Sequence, residues 1–447
     1  MGKGGGKGGD AGPEEKAPAV AFTEVEVAKH AGRKDSWLVI DGNVYDVSNF
    51  AARHPGGTEL FRAWVGRDAS APFHAFHPDP AVPRKYLPSL LKGSVAAVAA
   101  ETTPEQDLEA VREHARQAGW FKPSIWFYSW NIASVLLLEA CAWCLLAHVG
   151  TDWGTYSLAV LVLTVAQAQA GWLQHDFGHS SVLPTVAANK LMHCMVIGHF
   201  KGASSSWWNY RHFKHHSQPN IVKEDPDVNV PHLFLLGNVI PKDWGAKKKG
   251  IHTLYNYQHL YWWLLGPPLL LPTYFIYDNL THLLKTRDLY DFAWLVSFFV
   301  RWHFQFSPLL GGLKGMFGLY FAMRFVESHW FTWVTQMNHI PMDIDFHKGP
   351  AKGASKQWLQ LQLESTLNVF PGAFNDWFTG HLNYQIEHHL IPTMPRHNYY
   401  KIKPLIEELC AKHGLPYREK TLLGAMGDIV ASMKSSGELW LEAYHLD

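Results

Sequence analysis

Charge is the first thing that this sequence has little of. Only 17% of its residues are charged, below the roughly 25% of soluble domains, and 39 basic residues are balanced by 39 acidic ones. A chain with no net charge lacks the electrostatic footprint of a nucleic-acid-binding protein. We therefore expect no nucleic-acid partner.

Cysteine is scarce as well, with four in 447 residues. Cys141 and Cys144 form a CxxC motif, but they lie in an apolar run without a second pair or a nearby βαβ pattern. We expect free thiols packed in a core. Neither a disulfide framework nor a secreted protein is indicated, and no signal peptide is expected.

Composition divides the chain into four segments. Residues 1–19 are rich in glycine and lysine and are expected to be disordered. Residues 20–96 predict a small α+β domain, in which SWLVIDGNVYDVSNF indicates two strands joined by a turn at Asp41-Gly42-Asn43. Residues 97–124 predict a linker with a helix that starts near Thr103. Residues 125–447 are more apolar and predict an α-helical integral membrane domain.

Five apolar runs lie in this last segment. The runs 131–149 and 155–173 are each long enough to cross a bilayer as a helix, and the short connection predicts a hairpin with both outer ends on one side. Three more follow at 261–284, 292–310 and 313–334, and the first of these carries three prolines. The basic segment PKDWGAKKKG before them indicates a cytosolic loop.

Histidine is unusually abundant, with 27 residues. Three short motifs would each place their side chains on one helix face, at positions i and i+4 or i, i+3 and i+4. These motifs are HDFGH with His175 and His179, HFKHH with His212, His215 and His216, and QIEHH with Gln385, His388 and His389. Neutral imidazoles suit first-row transition metals such as iron, and ligands from three helices can enclose two ions. We interpret the seven histidines as catalytic metal ligands.

The order of the motifs constrains the membrane topology. The first motif ends the first hairpin, the second follows without a complete apolar run between them, and the third comes after the last three runs. For all three to meet on one face of the membrane, an even number of these last runs must cross. We therefore predict about four transmembrane helices, with one run re-entrant or interfacial.

A further histidine pattern lies in the first domain. HPGG at 54–57 and GRDASAPF at 66–73 are followed by His77 in AFHPD. Over residues 20–96 this pattern resembles cytochrome b5, which implies a haem b with His54 and His77 as axial ligands. The second ligand comes one residue earlier than in free cytochrome b5, as in the cytochromes fused to front-end desaturases, and His74 is its rival. Two imidazole ligands leave no open iron position, so the haem is expected to carry electrons.

The three histidine motifs resemble the histidine boxes of integral-membrane fatty acid desaturases. The front-end subgroup is marked by a fused cytochrome b5 and by glutamine in the third box, as at Gln385. GHFKGASSSWWNYRHFKHH, ESHWFTWVTQMNHI and NDWFTGHLNYQIEHHLIPTMPRHN are similar to segments of the animal Δ6/Δ5 polyunsaturated desaturases. The resemblance implies that His339 joins the metal ligands, with Gln385 as a weaker donor. His381 is interpreted either as the partner of a ligand or as a surface or packing residue.

The resemblance also implies a reaction and a location. A front-end desaturase would insert a cis double bond, at Δ6, into polyunsaturated fatty acyl-CoA, in the biosynthesis of long-chain polyunsaturated fatty acids. The co-substrate O2 takes four electrons, of which the acyl chain supplies two. The fused cytochrome would deliver the other two singly from NADH-cytochrome b5 reductase. We therefore expect a multi-pass protein of the endoplasmic reticulum membrane, with the haem domain and the histidine boxes on the cytosolic side.

Several alternatives share these motifs. Δ5 is the nearest alternative position of the double bond, followed by Δ8 and Δ4. A sphingolipid desaturase has the same fused cytochrome and third box, and a di-iron lipid hydroxylase uses the same histidines. A membrane-anchored haem electron carrier would leave the seven clustered histidines unexplained. A zinc hydrolase would have no use for a one-electron donor.

Overall fold

The computed structural model describes residues 20–54, 57–96, 103–230, 233–250, 254–346 and 357–445. Residues 1–19, which the sequence predicts to be disordered, lie outside these ranges, as do Pro55 and Gly56 of the HPGG motif. Contacts divide the chain into two units: residues 1–70 with 79–99, and residues 71–78 with 100–447. Each unit is described by itself.

The first unit is built on a five-stranded sheet. Its strands run, in spatial order, Ala21–Phe22, Leu91–Val95, Asn43–Asp46, Asp35–Ile40 and Ala31–Gly32. The first two pair in parallel and the other neighbours are antiparallel. Short helices accompany the sheet at Glu24–Lys29, Ala51–Arg53, Thr58–Arg62, Ala81–Arg84 and Leu87–Ser89. Helix Ser70–Phe76 begins in this unit, but its residues from Ala71 onward group with the second unit.

The predicted hairpin in this unit is confirmed. Ile40 pairs with Asn43, so the turn residues are Asp41 and Gly42, and both have positive φ angles, of 50° and 75°. Two such residues make the tight turn whose twist matches the flanking strands, and aspartate followed by glycine is a favoured sequence for it. Val39 and Val44 then face inward and pack against Val27 to form the core.

The second unit is helical. Its helices are Pro104–Gln117, Ile125–Cys144, Trp153–Gly178, Val186–His193, Ser205–Ser217, Val239–Ala246, Gln258–Leu265, Pro267–Leu269, Ile276–Thr286, Leu289–Phe306, Leu313–Gln336, Trp358–Ser365, Ala373–Thr379, Gln385–Leu390, Tyr399–His413 and Leu422–His445. π-helical turns lie at Leu145–Val149, Cys194–Phe200 and Leu270–Phe275, and 3-10 turns at Tyr255–Tyr257 and Arg396–Asn398. Two parallel strand pairs complete it: Ile221–Val222 with Asp345–Phe346, and Asn368–Val369 with Glu419–Lys420.

The predicted linker helix is Pro104–Gln117. Thr103 caps its first turn, since its hydroxyl accepts from the Gln106 N–H while the Gln106 side chain accepts from the Thr103 N–H. This reciprocal capping satisfies two backbone donors that a helix start otherwise leaves unpaired.

Two helices of the described residues are long and apolar enough to cross a membrane, Ile125–Val149 and Trp153–Gly178. They correspond to the predicted hairpin, and only three residues separate them. The predicted count of four spans thus stays a prediction. The run 261–284 is divided where Gly266 and Pro267 end one helix and begin the next, because proline cannot donate the helix hydrogen bond.

The expectation that the two cysteines of the CxxC motif are packed in a core is wrong. Both thiols are free, but Cys141 and Cys144 are exposed on helix Ile125–Cys144, and neither is packed in the core. The helix buries four residues, Tyr128, Val135, Glu139 and Ala142, and positions 141 and 144 are not among them.

Candidate metal and haem sites

The three histidine motifs come together in the second unit. HDFGH ends the helix Trp153–Gly178, here called the box-one helix. HFKHH lies at the end of helix Ser205–Ser217, the box-two helix, and QIEHH forms helix Gln385–Leu390, the box-three helix. The motifs are up to 214 residues apart in the sequence, and packing in the second unit brings their imidazoles into two groups.

The first group, the five-imidazole cluster, takes ligands from all three helices. One ring nitrogen from each of its residues lies within 4.8 Å of the others, in His175, His179, His212, His216 and His388. The Nε2 atom of His212 lies 2.8 Å from Nε2 of His179 and 3.0 Å from Nε2 of His216. Neutral imidazoles have one acceptor nitrogen each, so a metal ion is a better common partner for these atoms than another ring.

The second group, the three-imidazole cluster, joins His215, His339 and His389, again within 4.8 Å. The structure therefore brings His339 beside the box histidines, where the resemblance implies a further ligand. Gln385 lies at this cluster too, with its amide Nε2 2.8 Å from Nε2 of His339. Rotation of the amide by half a turn would present its oxygen instead.

In three of these rings a hydrogen bond to Nδ1 fixes which nitrogen faces inward. Nδ1 of His389 lies 2.8 Å from Oε1 of Gln362, and Nδ1 of His339 lies 2.9 Å from the Ser365 carbonyl oxygen. Nδ1 of His388 lies 3.1 Å from the Tyr399 hydroxyl. The Nε2 atoms of His388 and His389 are buried without a hydrogen-bond partner. Buried polar atoms rarely stay unpaired, and an outer hydrogen bond on Nδ1 is typical of histidine metal ligands, so the residues fit a pair of transition-metal ions.

Burial keeps most of these rings neutral, the form that binds metal. It lowers the pKa of His216, His388 and His389 well below the usual value, and the neighbouring histidines lower it further. It lowers the pKa of His339 to about 3. His215 differs: burial disfavours its charged form, but the Asp225 carboxylate outweighs burial and raises the pKa.

A cavity of about 350 Å³ opens beside both clusters. Its wall includes His175 and His212 of the first cluster and His215 and His339 of the second. The rest of the lining is predominantly apolar, with aromatic and leucine side chains such as Trp207, Leu269, Leu270, Phe275 and Phe331. This volume lies in the range of roughly 300–1,000 Å³ that is usual for small-molecule sites, and the lining suits an aliphatic chain.

The two predicted haem ligands belong to different units. His54 directly follows the 3-10 helix Ala51–Arg53, and its ring meets the edge of Phe50 with centroids 6.2 Å apart. Nδ1 of His77 lies 2.7 Å from the Phe73 carbonyl oxygen, which turns Nε2 away from the helix. Nδ1 of the rival, His74, instead faces the Glu109 carboxylate at 3.9 Å. His77 as the second axial ligand, with His74 as its rival, stays a prediction.

Residues 151–421 match the model of the fatty acid desaturase family. The chain belongs to this family. Residues 23–96 match a second model, that of the cytochrome b5-like heme/steroid binding domain. The protein is therefore a fatty acid desaturase with a fused cytochrome b5-like domain, a combination that supports haem and electron transfer to a lipid-oxidising site.

Solved structures similar to this desaturase cover its N-terminal domain. Cytochrome b5 of Ostreococcus tauri virus 2 is 37% identical over 17% of this chain and 95% of its own, with a TM-score of 0.16. Cytochrome b558 of Ectothiorhodospira vacuolata, a prokaryotic homologue of cytochrome b5, is 27% identical over 17% of this chain and 96% of its own, also with a TM-score of 0.16.

Contacts with Asp291 and with Gly178 position the box-two helix of the desaturase. At its start, the buried carboxylate of Asp291 accepts hydrogen bonds from the hydroxyls of Ser204, Ser205 and Ser206 and from the Ser206 N–H. Farther along, Trp208 stacks on His212 with ring centroids 4.1 Å apart. The Trp208 ring lies directly over Gly178 of the box-one helix, where an added Cβ would be 2.2 Å from its Cζ3 atom.

Sequence reasoning missed the residues that hold the ligands. Asp225, Gln362, Ser365 and Tyr399 each accept from, or bond to, a ring Nδ1. The DPD triplet that contains Asp225, shortly after the second box, was a visible signal, since carboxylates commonly orient ligand histidines. Of the predicted residues, His381 is not in either cluster, and its ring packs against Phe127 with centroids 5.6 Å apart.

Proposed function

We propose that this desaturase is a front-end enzyme that inserts a cis double bond at Δ6 into polyunsaturated fatty acyl-CoA. The observation that carries the proposal is the apolar cavity of about 350 Å³ whose wall includes histidines of both clusters. An acyl chain held there would have one methylene segment beside the clusters and the rest against apolar side chains. The protein's contribution is thus to hold the chain in register and to keep water from the reacting carbons.

Two iron ions would be held by the two clusters. His175, His179, His212, His216 and His388 would ligate one, and His215, His339 and His389, with Gln385, would ligate the other. When bound and reduced, the two ions supply the O2-dependent oxidation that an unactivated methylene requires. In His215, His339, His388 and His389 the Nδ1 hydrogen bonds would keep the Nε2 atoms aimed at the ions before they bind.

The same geometry supports a proposed membrane topology. The box-one helix is itself one of the two apolar helices, and its last turn carries His175. We assign the second crossing pair to helices Leu289–Phe306 and Leu313–Gln336, which are continuous, and a re-entrant or interfacial course to the proline-broken run 261–284. His339 follows the second of these helices, so its end and the box-one end would lie on one side. The endoplasmic reticulum, with that side cytosolic, is the proposed location.

The fused domain would bind haem b through His54 and His77 and accept electrons from NADH-cytochrome b5 reductase. The cytochrome b5-like match supports this role. The Nδ1 contact of His77 with the Phe73 carbonyl supports its part in it, because such a hydrogen bond orients a ligand histidine.

Expression in yeast tests the proposal. Cells carrying this chain would be fed linoleic, α-linolenic and dihomo-γ-linolenic acids, and their fatty acids would be profiled. We expect Δ6 products from the two C18 acids, abolished by His388→Ala but not by His148→Ala. His148 is a matched control because it is an exposed histidine of the same unit that lies in neither cluster.

The other outcomes separate the alternatives. A product from the C20 acid alone would replace Δ6 by Δ5. Hydroxylated acids would identify a hydroxylase. An unchanged profile, with the protein present and its haem spectrum intact, would contradict an acyl desaturase with these substrates.

A further inference from the structure

The two clusters differ in the number of strong donors. Five imidazoles lie in the first and three in the second, where an amide, Gln385, takes the place beside His339. An amide oxygen is a weaker donor to iron than imidazole. The second metal ion would therefore be held less well, unless other groups strengthen its three histidines.

The partners of these three histidines are also unequal. His339 and His389 donate from Nδ1 to neutral oxygens, of the Ser365 carbonyl and the Gln362 amide. His215 instead donates to a carboxylate, with its Nδ1 2.9 Å from Oδ2 of Asp225. A carboxylate partner makes an imidazole a more basic ligand and fixes its orientation.

Hydrogen bonds hold the Asp225 carboxylate in place beside His215. It is fully buried, and its two oxygens accept from the backbone N–H groups of Asn220 and Asp227, each at 2.8 Å. The Asn220 side chain in turn donates to the His339 carbonyl oxygen at 2.9 Å. The turn after the box-two helix therefore links two ligands of the three-imidazole cluster. Asp225 contacts the His215 ring, and Asn220, which donates to Asp225, contacts the His339 backbone.

The charges around His215 point the same way. Asp227 also faces its Nδ1, at 3.9 Å, but Asp227 pairs with Arg211 at 3.0 Å. Asp225 pairs with His215 itself. A buried carboxylate is costly without a positive partner, and a metal ion on the far nitrogen of His215 would be that partner.

We propose that Asp225 is a positioning residue that retains the second metal ion, supplying through His215 the donor strength that Gln385 does not. The proposal rests on the two-ion centre proposed above. Loss of such an outer partner typically weakens metal affinity by about 10–100-fold. Asp225→Asn should therefore release one ion at lower chelator concentration while the other stays bound.

The test measures iron directly. Wild type, Asp225→Asn and Glu387→Gln would be purified in one detergent and titrated with an iron chelator. Total iron per chain would be measured by mass spectrometry. Haem iron, determined from the haem absorbance, would be subtracted to give the non-haem iron. Glu387→Gln is the matched control: it is a buried carboxylate next to the candidate ligand His388, but it bonds to Asn368 and Tyr417.

We expect two non-haem irons in wild type and in Glu387→Gln. In Asp225→Asn one of them should leave at about 10–100-fold lower chelator concentration. Adding Gln385→His should restore its retention. Equal retention in Asp225→Asn and wild type, loss of both irons together, or the same loss in Glu387→Gln would overturn the inference. Fewer than two irons in wild type would instead contradict the two-ion centre on which it rests.

Discussion

Gly178 offers the sharpest test of how the boxes are assembled. It lies between the two histidines of HDFGH, and the Trp208 ring covers it. A Cβ at this position would be 2.2 Å from Trp208 Cζ3 and 2.9 Å from Cε3. Ordinary contact begins near 3.4 Å, so Gly178→Ala would require the ring to move by about 1.2 Å.

The movement would reach the metal ligands through the contacts of the Trp208 ring. Trp208 stacks on His212 and meets the edge of His175, with ring centroids 4.1 and 5.5 Å apart. Overpacking of this kind costs about 1–3 kcal/mol of stability. A misplacement of about 1 Å at a reacting centre costs about 100-fold in rate. We therefore expect Gly178→Ala to fold and to bind haem, but to lose about 100-fold in product formation.

The assay is conversion of a fed C18 acid in yeast, normalised to protein and to haem absorbance. Gly427→Ala is the matched control, since it is also a helix glycine but no atom lies within 4 Å of an added Cβ there. Trp208→Phe in the Gly178→Ala background removes the clashing ring atom and should recover part of the activity. Full activity and wild-type iron content in Gly178→Ala would refute the reasoning.

Three further predictions concern stability and the cavity. Burial lowers the pKa of His193 from 6.5 to about 3. Below pH 6.5 the unfolded chain therefore binds a proton at His193 that the folded protein does not bind. The free energy of unfolding falls in consequence as the pH drops towards 3, by about 2 kcal/mol at pH 5. The decline in Tm between pH 7.5 and 5 should accordingly be smaller in His193→Asn. Asp291→Ala should cost about 2–4 kcal/mol, because three serine hydroxyls lose their acceptor, and Tm of the detergent-solubilised protein would report it. Thr335→Trp should fill the cavity and reduce conversion of the C18 acids without changing iron content, which product profiles and metal analysis would check.

Helix periodicity made the boxes predictable. Histidines at i and i+4 share a helix face whatever surrounds them, so the pairing of His175 with His179 and of His212 with His216 in one cluster could be predicted. The hairpin at Asp41-Gly42 was predictable for a similar reason, because its turn conformation selects those residue types.

The distribution of ligands between two clusters could not be read in this way. His215 and His216 are adjacent in the sequence, yet they lie in different clusters, because consecutive residues of a helix point about 100° apart. Which partner each then faces depends on packing between helices that are far apart in the sequence. The prediction for Cys141 and Cys144 was wrong for a different reason. An apolar run predicts an apolar environment, but lipid and protein core are both apolar. Both cysteines are exposed on the protein surface.

The box-one helix runs without interruption from Trp153 to Gly178. At 1.5 Å per residue it is a rod about 39 Å long, and a tilt of only about 5° around one end would carry the other sideways by about 3 Å. That displacement is comparable with the 4.8 Å span of the five-imidazole cluster. The apolar part of the helix and its metal-binding end therefore move as one rigid body. A change in the tilt of this helix relative to the other two box helices would therefore change the spacing of the ligands.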